Sequence, residues 1–178
     1  MPADGSTTRP SAKPGAPATV QSMAQSMAKC GIVIIGHGNT ATALLEAARA
    51  IVCSHGCDQH DQHDADRGDG LAEVIALDAG VGQTPEFSAE LCATIERIDE
   101  GRGVLLLADL MGSSPCMCGI NQSTGHGIAV VSGLNLAMLT KLAMADHRSS
   151  PRELAEACAD SAQRSVRVKV RDTQPGCT

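Results

Sequence analysis

Short continuous apolar runs alternate with stretches in which apolar residues recur every three or four positions, and the alternation repeats four times between Cys30 and Leu142. The first run, Gly31 to Ile35, is too short for a helix. It shows no polar alternation, as expected of a strand buried on both faces. After His37, Asn39 or Thr40 is placed to cap a helix, and Ala41, Leu44, Leu45, Ala48, Ile51 and Val52 form its apolar face. The second unit runs from Ala72 to Leu77 and into a helix opened by Thr84 and Pro85. That helix carries Phe87, Leu91, Ile95 and Ile98 on one face and stops at Gly101. A third strand spans Gly103 to Asp109, with Ser114-Pro115 starting the next helix, and a fourth spans Gly127 to Ser132. Asn135 then introduces a helix with Leu136, Met138, Leu139 and Leu142. Ser150, Pro151 and Glu153 form a capping box for a last helix reaching about Arg164.

Four strand-helix repeats predict an α/β fold, a doubly wound, mainly parallel sheet of four strands with helices on both faces. Val166, Val168 and Val170 alternate with basic residues, a pattern suited to an edge strand that a neighbouring subunit can take up in exchange. Residues 1–29, rich in Pro, Ala, Ser and Thr without periodicity, read as a disordered tail, and residues 30–172 as one domain. A polar insertion, 53–69, separates the first helix from the second strand.

Composition narrows the function. One Phe and no Trp or Tyr leave no aromatic platform for stacking bases, and a net charge of −6 with scattered Lys and Arg argues against nucleic acid as a partner. No apolar run approaches the ~18–20 residues of a membrane span, and the start shows no signal-type apolar segment, so a cytoplasmic protein not embedded in membrane is expected. Its eight Cys then read as reduced thiols.

The candidate chemistry sits where strands give way to helices. In a doubly wound sheet, neighbouring strand ends open a crevice at the point where the winding reverses, and His37 and Asp109 meet there if the first and third strands are neighbours. An imidazole nucleophile needs one nitrogen free and the other held as N–H, and a carboxylate holding it fixes the tautomer and stabilises developing positive charge. The segment Gly112, Ser113 and Ser114 offers backbone N–H groups and hydroxyls to phosphoryl oxygens at a helix N-terminus. Gly36 and Gly38 leave room for a partner. This points to phosphoryl transfer on His37 with no cofactor and no metal. On the residues alone, a histidine at a strand end is more often a satisfied polar residue than a nucleophile.

Three blocks, Ile32 to Gly38, Gly103 to Cys116 and Val131 to Leu139, together make the segment resemble the mannose-type enzyme IIA domain of the bacterial phosphoenolpyruvate-dependent sugar phosphotransferase system. The resemblance implies that His37 accepts phosphate from the phosphocarrier protein HPr and passes it to a IIB domain. It also implies that Asp109 orients His37, that Ser114 lies at the phosphoryl site, and that the protein is a homodimer. The family usually shows Gly-Gly-Ser-Pro where this chain has Gly112-Ser113-Ser114-Pro115, and Met117-Cys118 replace an asparagine common there. Two related readings are a phosphocarrier subunit of a dihydroxyacetone kinase and a regulatory carrier that reports phosphorylation state. From a different class comes a metal- or thiol-dependent sensor built on Cys53, His55, Cys57, His60 and His63. Their spacing matches no standard zinc module.

Overall fold

The computed structural model describes residues 28–56, 70–80, 84–111 and 125–171. Four strands, β1 (Gly31–Gly36), β2 (Ile75–Asp78), β3 (Val104–Ala108) and β4 (Ile128–Ser132), form one sheet in the order β2-β1-β3-β4, with every pairing parallel. Four helices lie among the described residues: α1 (Thr40–Gly56), α2 (Pro85–Ile98), α3 (Leu136–Ala143) and α4 (Pro151–Ser165). The expected α/β fold with a four-stranded parallel sheet is the one observed.

Successive strand residues face opposite sides, so the continuous apolar runs feed two cores. Ile32, Ile34, Leu105 and Leu107 pack on one side with Ala41, Leu45 and Ala48 of α1, Met138, Leu139 and Leu142 of α3, and Leu154 and Cys158 of α4. Val33, Ile35, Val104 and Leu106 pack on the other with Phe87, Leu91 and Ile95 of α2. Fully burying each such Leu or Ile contributes about 1.5–3 kcal/mol. The face each helix takes follows from handedness. The β1-α1-β2 crossover moves one way along the sheet and the β2-α2-β3 crossover moves back past β1, so keeping both right-handed puts α1 and α2 on opposite faces.

Local signals behave as their chemistry demands. The Thr84 side chain accepts from Phe87 N–H with Pro85 in the first turn, Asn135 accepts from Met138 N–H, and Ser150 and Glu153 complete the reciprocal capping box of α4. Gly103, at φ +94°, leaves the backbone where an added Cβ would lie 2.2 Å from the Gly127 carbonyl oxygen, which accepts from Val104 N–H at the start of the β3-β4 ladder.

Several expectations need correction. Helix α1 continues through Cys53 to Gly56, so the inter-element stretch begins four residues later than the polar composition implied; exposed polar side chains at its end cost the helix little. Residues 71–73 form a turn, closed by Val74 N–H to the Leu71 carbonyl at 3.2 Å, and β2 starts only at Ile75 although Leu71 is fully buried. Val166, Val168 and Val170 belong to no described strand of the chain's own sheet, and they stand 73%, 89% and 75% exposed. The N-terminal tail to residue 27, most of the 53–69 insertion and the segment from 112 to 124, with Gly112, Ser113, Ser114 and the helix expected from Ser114-Pro115, lie outside the described residues.

Candidate functional site

The strand order reverses between β1 and β3, and their C-terminal ends carry His37 and Asp109. Ile35 is level with Ala108 in the ladder, and Asp109 N–H donates to the Ile35 carbonyl at 3.2 Å. The parallel register therefore delivers the two residues side by side, although 72 positions separate them. Asp109 grips His37 twice. Its Oδ2 accepts the His37 backbone N–H at 2.8 Å, and the ring Nδ1 lies 3.0 Å from Oδ2 and 3.1 Å from Oδ1. A carboxylate only accepts, so Nδ1 carries the proton in this contact and the lone pair of the neutral ring resides on Nε2. The His37 side chain is 41% exposed and that of Asp109 is 16% exposed, so the ring edge can meet a partner while its anchor stays sheltered. Partial burial alone would raise the Asp109 carboxyl. The hydrogen bonds from His37 N–H and its ring, the nearby ring charge and the Leu110 N–H outweigh that, holding the carboxyl below the usual carboxylate range.

The loop around His37 is also fixed from the other side. Ala79 N–H donates to the Gly36 carbonyl at 2.8 Å and Gly38 N–H to the Gly80 carbonyl at 2.9 Å, a short antiparallel bridge just beyond β1 and β2. A Cβ on Gly36 would lie 2.7 Å from Ala41 N, so Gly36 makes room for the chain's own helix rather than for a partner. Gly38 does open outward: its φ is +58° and nothing lies within 4 Å of a Cβ built there. Next to the pair, Leu110 and Met111 are 62% and 56% exposed.

His126 and His147 find partners away from this edge. His126 Nδ1 lies 2.8 Å from Asp99 Oδ2, a second histidine-carboxylate pair that the sequence did not reveal. The other Asp99 oxygen accepts from Gly101 and Gly103 N–H, each at 2.8 Å, and the Asp99 side chain is only 8% exposed. Burial raises this carboxyl and the His126 and glycine hydrogen bonds more than offset it, leaving it lowered. The pair clamps the turns that lead into β3 and β4, at the sheet edge opposite His37. A carboxylate lowered in the folded state stabilises the fold fully above its unfolded pKa, about 4, and loses that stabilisation as the pH falls through the lower folded value. Asp99→Ala is therefore expected to cost about 1–3 kcal/mol in urea unfolding at pH 7, with the deficit shrinking in acid. His147 Nε2 is 3.0 Å from the Leu142 carbonyl, and its own carbonyl accepts from Cys30 N–H.

Two of the described cysteines, Cys30 and Cys158, are unsuited to thiol chemistry. Burial pushes Cys30 and Cys158 up to about 11, so both are packing residues. Among the described residues no group of three or more His, Cys, Asp or Glu is arranged to hold a metal, and the loop positions 57–63 lie outside them. No helix among the described residues is long and apolar enough to cross a membrane.

A parallel α/β sheet with a carboxylate-held histidine at its winding reversal defines a class of fold rather than a single activity. The family model described as PTS system fructose IIA component, EIIA-man, matches residues 66–159, more than half of the chain. The chain belongs to this family of phosphotransferase-system IIA components, which carries a phosphotransferase role in general. The matched stretch includes Asp109 and β2 to β4, while His37 precedes it. Among solved structures, the mannose/sorbose-specific IIA subunit from Enterococcus faecalis is 24% identical, covering 82% of this chain and 99% of that one at a TM-score of 0.59. The PTS IIA protein associated with the fucose utilization operon from Streptococcus pneumoniae is 23% identical, covering 80% and 96% at 0.58. A sigma-54 interaction domain protein, also from Enterococcus faecalis, is 17% identical, covering 78% and 93% at 0.58. At these identities the likeness establishes the fold. No curated protein sequence matches the chain.

Proposed function

We propose that the protein is a phosphoryl carrier in which His37 accepts a phosphoryl group from phospho-HPr and passes it to a IIB partner. The observation that carries this reading is the double hold of Asp109 on His37, through backbone N–H and ring Nδ1, which leaves Nε2 as the nucleophile on a half-exposed ring. In the forward step, the Nε2 lone pair attacks phosphorus in line and the bond to the donor imidazole breaks. The electron pair of that bond returns to the donor nitrogen, and no proton or cofactor is consumed. Asp109 stabilises the positive charge that His37 acquires while it carries the group. Gly112, Ser113 and Ser114 are the proposed donors to the phosphoryl oxygens, following the family resemblance. The exposed apolar pair Leu110 and Met111 beside an open Gly38 suits docking of a protein rather than enclosure of a small molecule. The membership of the family makes a cytoplasmic location the natural setting for such a carrier. Incubating the protein with enzyme I, HPr and labelled phosphoenolpyruvate tests the reading. Label should reach the protein only when HPr is present and should be discharged by a IIB domain. HPr-independent labelling, or none, would refute it.

A homodimer is part of this proposal. The exposed alternating residues Val166, Val168 and Val170, which lie outside the described strands of the chain's own sheet, would add to the sheet of a second copy. Light scattering of the full chain at micromolar concentration should give twice the monomer mass, and a chain ending at Ser165 should be monomeric. A monomeric full chain would contradict the dimer, and a dimeric truncated chain would contradict the exchanged strand as its cause.

A further inference from the structure

We infer that Asp78 is a positioning residue for His37, and this rests on the phosphoryl-carrier reading above. Asp78 ends β2, level with Gly36 of β1 in the ladder. Its Oδ1 accepts from Ala41 N–H at 2.9 Å and from Thr42 N–H at 3.3 Å, so the carboxylate of one strand caps the helix that follows the neighbouring strand. Thr40 N–H donates to the His37 carbonyl at 3.0 Å and Ala43 N–H to the Asn39 carbonyl at 3.0 Å. The first four N–H groups of α1 are thereby all engaged within the chain. Helix N-termini ordinarily offer those groups to phosphate, and here the N-terminus three residues beyond His37 is closed to it.

Two consequences follow. Phosphoryl oxygens on His37 are therefore not expected to draw donors from α1, whose N-terminus serves as a support for the nucleophile loop. The tripeptide Asp78 to Gly80 also becomes a splint along the nucleophile loop. Ala79 holds Gly36, Gly80 holds Gly38, and Asp78 holds the helix start, so every neighbour of His37 is tied to β2 while His37 itself is tied to Asp109. Removing Asp78 frees two backbone donors and releases the helix end of the splint, letting His37 drift from the geometry that Asp109 requires.

The test compares Asp78→Ala with Asp78→Asn, since asparagine keeps an acceptor oxygen and caps helices well. In steady-state transfer from phospho-HPr, Asp78→Ala should lower kcat roughly ten- to a hundredfold, as misplaced reacting groups do, with KM unchanged because Asp78 is argued to touch no partner. Asp78→Asn should recover most of that loss. Nitrogen-15 shifts of the His37 ring give a readout independent of function. The wild type and Asp78→Asn should show the Nδ1–H tautomer, and Asp78→Ala a mixture. Failure of wild-type labelling would defeat the carrier reading alone, leaving the ring shifts to judge Asp78. A wild-type tautomer in folded Asp78→Ala would overturn the positioning role, as would an unchanged kcat, a change confined to KM, or no recovery in Asp78→Asn.

Discussion

Replacing His37 with alanine should abolish labelling by phospho-HPr while the protein stays folded. The ring supplies the only nitrogen among the described histidines that lies at the winding reversal with its Nδ1 held by a carboxylate and its edge exposed. His126 shares the carboxylate contact, but it sits at the opposite sheet edge with its side chain 22% exposed. Its partner Asp99 is committed to two glycine N–H groups, which makes the pair a structural clamp. Changing His55, His60 and His63 together to glutamine should leave labelling intact, as should His126→Gln in the folded protein. Acid-labile, base-stable label persisting in His37→Ala would assign the chemistry to another residue.

Asp109→Asn should slow transfer by roughly 10²–10⁴, the range typical of a lost orienting or acid-base group. Asparagine is nearly the same shape and its oxygen can still accept one hydrogen bond, so the loop should keep its course. Two things are lost: the negative charge that stabilises a phosphorylated, positively charged ring, and the acceptor-only chemistry that forces the Nδ1–H tautomer. An amide can turn its NH₂ toward Nδ1 and select the opposite tautomer, placing the proton on the attacking nitrogen. The rate should therefore fall in kcat with little change in KM for phospho-HPr. An unchanged kcat would remove Asp109 from the mechanism.

The parts of this arrangement that were legible in the sequence are those governed by local chemistry. The strands buried on both faces announce themselves as unbroken apolar runs, and Thr84, Asn135 and Ser150 cap the helices they precede. His37 and Asp109 were recognisable because each follows such a run and because a parallel sheet brings strand ends to one edge. Asp78 carries the same signal, an acidic residue closing an apolar strand, yet its partners are 36 and 37 positions away and depend on which strand lies beside which. The Asp99–His126 pair is hidden for the same reason, being formed across 27 positions by a turn and the start of another strand. Element ends were misread where burial and secondary structure part company. Ala72 and Glu73, read as strand, lie in a turn, and buried Val74 just precedes β2, while exposed Cys53 still belongs to α1. Gly36 was read as clearance for a partner because a glycine beside a candidate nucleophile invites it; the closeness of Ala41 N shows that α1 claims that space.

The most direct measurement is to phosphorylate the wild-type protein with phosphoenolpyruvate, enzyme I and HPr, and to locate the group by peptide mapping at alkaline pH together with phosphorus-31 NMR. A single phosphoryl group on Nε2 of His37 is expected. Phosphate on Nδ1 of that ring, or on any other residue, would contradict it.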